Sequence, residues 1–370
     1  MRHDGGADAQ VSGDEAAEPL AAELTASAAR YFAAAMDDPH RTALDPAGAY
    51  LALRPGLSDL GLFGLPPYRA FGGVGAPRLT TPLFQSAGRA LVPGPLLEDV
   101  VMVPVLTALL PAWADGLAAR APLAFVDGTG PQRRPELADG LLTGTSGPLP
   151  HVCDVDWLLV AAASAAGPRL LLLNVRHPGV SIVRVSTMDP CSTAGEVVFE
   201  SPIGACDILC GDDAAADALV TLRSLARLAL SAEQQGIAAH LTDISVSYAL
   251  QRRQFGRPIG SFQSVKHMLA GMTRDVLALG NLVAAMTSRL PADLSSAALW
   301  CAIAKSHASK IAVRTAAAAL QIHGGIGFTE EHSLHLYYKR VLALESRFGQ
   351  PAELNALIGA ARVTGEPLIR

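Results

Sequence analysis

Two stretches of this chain combine residue types that hold anions and planar rings. The first is Arg252-Arg-Gln-Phe-Gly-Arg-Pro-Ile-Gly-Ser-Phe-Gln263. Gly256, Pro258 and Gly260 break a helix there, and Ser261 is expected to N-cap the next one. Arg252 can pair with phosphate, Phe255 offers a stacking face, and the Gln263 amide both donates and accepts hydrogen bonds. The second stretch is Gln321-Ile-His-Gly-Gly-Ile-Gly-Phe-Thr329. Gly324 and Gly325 let a ligand approach the main chain closely, and N–H groups left unpaired there cradle an anion. It is not a dinucleotide fingerprint, because it follows a helix and lacks the G-x-G-x-x-G spacing. An ordinary interhelix turn remains open as the reading of either stretch alone. Neither G-x-x-x-x-G-K-S/T nor H-E-x-x-H occurs. Cys206 and Cys210 lack the second pair or the histidines that a zinc site needs, so no metal site is expected.

The elements that must position these residues follow from pattern and composition. At 370 residues, a prior of about 150 residues per domain gives two or three domains. Half the residues are hydrophobic and 17% are charged, which excludes general disorder. The 29 basic side chains face 34 acidic ones, a net charge of -5, so a nucleic-acid partner is not expected. Five cysteines, an odd number, read as reduced thiols of a cytoplasmic protein. The uncharged run from Val100 to Ala114, broken by Pro104 and Pro111, is 15 residues long. A span needs about 20, so no membrane association is expected.

Residues 1–19, with five acidic side chains and no apolar core, read as a loose tail with no targeting role. Apolar residues at three- and four-residue spacing make 20–121 helical, with loops at 64–67 and 71–75. From 122 to 212 short apolar runs at Trp157, Leu170, Val180 and Val197 suggest a small antiparallel barrel or sandwich. From 213 to 370 long helices near 214–251, 261–289, 294–321 and 331–348 imply a four-helix bundle. The fold class is therefore α+β: a helical domain, a middle antiparallel β domain and a C-terminal four-helix bundle.

Taken together, the two stretches, about 60 residues apart across two helices, resemble the flavin-binding signatures of the acyl-CoA dehydrogenase family. The resemblance extends to Leu60–Pro66, Phe71–Gly75, Gly88–Pro95 and Glu331–Arg340, and covers roughly residues 20 to 350. It implies FAD bound at a subunit interface. Arg252, Phe255 and Gln263 would contact its ADP half, and Gln321, Gly324 and Gly325 would hold it from the other side. An acyl-CoA thioester as substrate and an electron-transfer protein as acceptor are further implications.

The sequence departs from that pattern where the base should be. The family removes a proton α to a thioester with a carboxylate at one of two positions. One lies 24 residues after the first glycine of the Gly-Gly pair, and the other 29 residues before the phenylalanine of the turn; here they are Phe348 and Ala226. Glu345, three residues from Phe348, is the weak remaining candidate, and Glu233, seven from Ala226, is another; a surface or structural charge is the expectation for each. The loop and strand that usually meet the isoalloxazine ring read Leu123–Gly130 and Leu142–Pro148, without a clear match. This asymmetry resembles one chain of the heteromeric acyl-CoA dehydrogenases of bacterial steroid catabolism. The expectation is a base-lacking subunit of a heterotetramer that completes a related partner's FAD site. Two alternatives stay open: a homo-oligomeric flavoprotein with a displaced base or monooxygenase chemistry, and a non-catalytic scaffold.

Overall fold

The computed structural model describes residues 22–64, 76–113, 116–117, 122–127, 134–289 and 294–364. The tail at 1–19 and the loops expected at 65–67 and 71–75 lie outside them. The chain opens with helices α1 (22–35), α2 (Pro39–Leu44), α3 (Pro46–Asp59) and α4 (Ala76–Arg89). A π-helical turn, Glu98–Met102, then runs into α5 (Val103–Leu109). The wide turn has a local cause. Pro104 has no N–H to offer the Val100 carbonyl, and the Val103 N–H bonds back to the Glu98 carbonyl.

Among the described residues eight strands follow, in two four-stranded sheets. The first sheet, in the order β1 (Leu123–Val126), β4 (Trp157–Ala162), β5 (Arg169–Asn174), β8 (Ile208–Gly211), is antiparallel except for the parallel pair β1–β4. The second, β2 (Glu136–Ala138), β3 (Leu141–Pro150), β7 (Ala194–Pro202), β6 (Val180–Arg184), is antiparallel throughout. Side chains alternate faces along a strand, and β4 and β5 are apolar on both. Leu158, Val160, Leu171 and Leu173 pack toward the second sheet, whereas Leu159, Ala161, Leu170 and Leu172 join the core formed with the helices. The β3–β7 register slips between Thr145 and Pro148, where proline cannot donate to the ladder; the Ser146 hydroxyl accepts the Val197 N–H at 2.9 Å instead.

The last third is helical. α6 (Asp212–Gln251) is followed by the short hairpin β9 (Arg253–Gln254) and β10 (Arg257–Pro258). Then come α7 (Gln263–Arg289), α8 (Leu294–His323), α9 (Leu334–Ser346) and α10 (Pro351–Val363). The last helix is additional to the four expected from the sequence. Ser261 does not cap α7; its hydroxyl donates to the Pro258 carbonyl at 2.7 Å and closes the turn before it. By length and composition α7 is apolar enough over Gln263–Ser288 to cross a membrane, although the sequence had directed attention to the region around Val100. All five cysteines are free.

α6 is the central post, and its buried hydroxyls need partners. Thr221, Ser224, Ser231, Thr242 and Ser245 each donate to the carbonyl four residues back, at 2.6–2.9 Å. It crosses α4 at backbone distance. A Cβ on Gly236 would meet the Gln85 carbonyl oxygen at 2.0 Å, and one on Gly88 would meet that of Glu233 at 2.2 Å. The crossing places Glu233 beside the end of α4 and beside the site described next.

Candidate functional site

A cavity of about 440 Å³ lies among the π-turn, β3, α6 and the end of α9. Apolar side chains such as Phe84, Leu97, Phe125 and Phe348 share its wall with an ionic network. Arg340, 5% exposed, donates to the carboxylates of Asp189 and Glu233 and to the Val92 and Cys191 carbonyls. Burial alone would lower its pKa, but Asp189 and Glu233 outweigh that and hold it charged. Burial pushes the Glu233 carboxyl up, against the pull of Arg340. Glu233 is thus buried on the cavity wall, paired with Arg340, and not a surface charge.

A second pair stands beside the first. Arg347 donates to Glu98 Oε1 at 2.5 Å, while Glu98, 2% exposed, leaves Oε2 with no hydrogen-bond partner. Burial raises the Glu98 carboxyl and Arg347 opposes it. His151 ends β3 in the left-handed region, at φ 62°. Burial first, then Arg347 and Arg340, pushes this imidazole well below its ordinary range, so it is neutral at pH 7. None of Glu98, Asp189, Arg340, Arg347 and His151 was singled out in the sequence. The available signal was the Glu98-Asp99 pair inside the apolar run Leu96 to Val103.

Phe348 occupies the cavity wall where the family resemblance puts a carboxylate. It has φ 59°, its ring stacks on Phe125 at 6.0 Å, and its carbonyl accepts from Arg227 Nε at 3.0 Å. Ala226 is fully buried inside α6. Glu345 is half-buried and is not among the residues lining the cavity. Its main-chain carbonyl, with that of Leu344, accepts from the ammonium of Lys305 at 3.2 and 3.0 Å. Lys305 is fully buried and also donates to Ser309 at 2.8 Å, so it ties down the end of α9 just before Arg347 and Phe348. Burial pushes its pKa down to about 7, with Glu345 opposing. Along β3 the wall is made by Ser146, Pro148, Leu149 and Pro150; the two prolines carry no main-chain N–H, and the Ser146 hydroxyl donates to the Gly147 carbonyl and accepts from the Val197 N–H.

The two signature stretches lie elsewhere. The ends of α6 and α8 meet where Tyr248 stacks on His323 at 4.4 Å and its hydroxyl donates to the His323 carbonyl at 3.4 Å. Arg252, Phe255 and Gln263 are exposed on one side of this junction, Phe255 at 89%. Gln321 and Gly325 are exposed on the other and Gly324 is half-buried. Gly324 has φ 62°, and a Cβ on it or on Gly325 would meet no atom within 4 Å. The main chain is open there to the approach of a ligand. His323 lies beneath with a buried, unpartnered Nε2. None of these six residues lines the cavity, so one chain does not bring the signature and the cavity together.

The acyl-CoA dehydrogenase C-terminal domain family matches residues 218–363. The chain is 33% identical over 278 residues to "Acyl-CoA dehydrogenase IpdE2" of Mycobacterium tuberculosis, covering 73% of each protein. Among solved structures, the ChsE4-ChsE5 complex from Mycobacterium tuberculosis has a chain with a TM-score of 0.82 at 24% identity, covering 94% of this chain and 98% of that one. Butyryl-CoA dehydrogenase from Megasphaera elsdenii gives 0.77 at 21%, covering 92% and 98%.

Proposed function

The chain belongs to the acyl-CoA dehydrogenase family of FAD-dependent oxidoreductases, and from that premise we propose that it is the base-lacking subunit of a hetero-oligomer. In this reading a related partner chain holds the reacting flavin and the carboxylate. The present chain contributes Arg252, Phe255, Gln263, Gln321, Gly324 and Gly325 to the ADP end of the partner's FAD. The observation that carries the reading is Phe348 on the cavity wall, backed by Ala226 in the core: neither accepts a proton. The exposed signature residues support it too, because groups turned away from their own cavity are free to reach a neighbour. A division at 121/122 and 212/213 fits the start of β1 and of α6. FAD would supply the hydride chemistry, the acyl-CoA thioester would be oxidised between its α and β carbons, and an electron-transfer protein would reoxidise the complex. The free cysteines agree with a cytoplasmic setting.

The test is co-expression with a second chain of the same family and assay of each purified species with an acyl-CoA panel and an artificial acceptor. The expected outcome is a yellow, active complex, and no turnover above background by this chain alone. Robust turnover by the chain alone that vanishes in Glu345→Gln overturns the reading in favour of a displaced base.

A further inference from the structure

A second cavity, of about 450 Å³, lies between α1, the end of α4, α6 and the start of α9. It shares no lining residue with the cavity described above and none with the two signature stretches. Ala29, Met36 and Ala90 give it apolar wall, and Arg89, His240 and Ser333 supply polar groups. Direct contacts knit that polar part together. The Arg89 guanidinium reaches α6 at Asp243, at 2.6 Å, about one turn after His240. The His240 ring stacks at 4.6 Å on Tyr337, whose hydroxyl donates to the Arg89 carbonyl at 2.8 Å.

These groups have donors to spare. Asp243 engages one amino group of Arg89, and the rest of the guanidinium fork is left over. Among the described residues no group meets the Ser333 hydroxyl or either ring nitrogen of His240, and none of these atoms is sealed from solvent in the way His323 Nε2 is. Burial first, then Arg89, pushes the His240 imidazole down to about 4, with Asp243 opposing, so at pH 7 it is neutral and has one N–H to donate. Asp37, the acid on this wall, pairs with Arg41 at 2.7 Å. We propose that this cavity is a second binding site, for a small carboxylic acid with an apolar body: its carboxylate accepts from Arg89, His240 and Ser333, and its body lies against Ala29, Met36 and Ala90. The volume suits a small organic ligand, and bonds from a guanidinium favour an anionic head over a neutral one. The inference does not rest on the acyl-CoA reading, because it needs neither thioester nor flavin.

3-Phenylpropanoate and 3-phenylpropanamide have the same apolar body and differ in the charge of the head. Binding of each is measured by calorimetry at about pH 7, on the chain as it purifies, alone or with its partner. The variants are Arg89→Gln, His240→Phe, which keeps a ring on Tyr337 but removes both nitrogens, and Ala29→Phe, which fills the cavity. The expected result is saturable binding of the acid, preferred over the amide by about tenfold or more, the range of a charge-assisted hydrogen bond. The preference should disappear in Arg89→Gln, acid binding should weaken in His240→Phe, and it should be lost in Ala29→Phe. If Ala29→Phe does not fold, the other two variants carry the comparison. No saturable binding of the acid, equal binding of acid and amide, or a preference unchanged in both Arg89→Gln and His240→Phe overturns the inference. Acid binding that survives in folded Ala29→Phe overturns it too, because the ligand then sits elsewhere on the chain.

Discussion

Replacing Lys305 by methionine should change how stability depends on pH. The ammonium is fully buried against the end of α9, and its pKa falls from the ordinary lysine value to about 7. Between that value and the ordinary one, the unfolded chain carries a proton that the folded chain has released, so stability rises with pH across this window and levels off below about 7, where both states are protonated. The slope for one proton is about 1.4 kcal/mol per pH unit. From about pH 7.5 to about 9.5 the wild-type chain should therefore gain about 3 kcal/mol relative to Lys305→Met. The variant loses a cap on the Leu344 and Glu345 carbonyls, but that loss does not depend on pH. Calorimetric melting of both proteins across the window reads the difference, and groups common to both, such as the buried thiols, cancel. Parallel curves for the two proteins would refute the buried-ammonium argument.

Other outcomes follow from contacts already described. Arg252→Ala should weaken FAD retention in the assembled protein by about 1.5–3 kcal/mol, with Arg252→Lys recovering part of it, as read by flavin content after gel filtration. Gly236→Ala should cost at least about 1–3 kcal/mol in chemical denaturation, because its Cβ would meet the Gln85 carbonyl oxygen at 2.0 Å. Arg340→Met should cost about 3–5 kcal/mol by leaving Asp189 and Glu233 buried without a balancing cation; adding Glu233→Gln should recover part of that in the same unfolding assay.

The long helices were legible because their apolar spacing persists over many turns, and the four strands near Trp157, Leu170, Val180 and Val197 were legible as apolar runs between turn residues. β3 was visible only as the unmatched stretch Leu142–Pro148, since Gly144, Gly147 and two prolines carry no strand signal. β8 is four residues long and merges with the start of α6. The signature stretches could be found because several demanding residue types crowd into twelve positions or fewer. The ionic network could not be found that way. Glu98, Asp189, Glu233 and the Arg340–Arg347 end of α9 come from four separate parts of the chain, and nothing in their local sequence says that they converge. Charges inside apolar surroundings, as at Glu98 and Asp99, were the one visible clue.

The two-faced sheet sets a limit on modularity. Because one side of β4 and β5 is covered by the second sheet and the other by helices from both ends of the chain, the strands cannot be excised or grafted as a unit. Cut away from the helices, Leu159, Ala161, Leu170 and Leu172 would form a continuous apolar surface flanked by β1 and β8, a template for aggregation. Recombination between relatives would therefore succeed by exchanging whole chains, with the helices before and after the sheet inherited together.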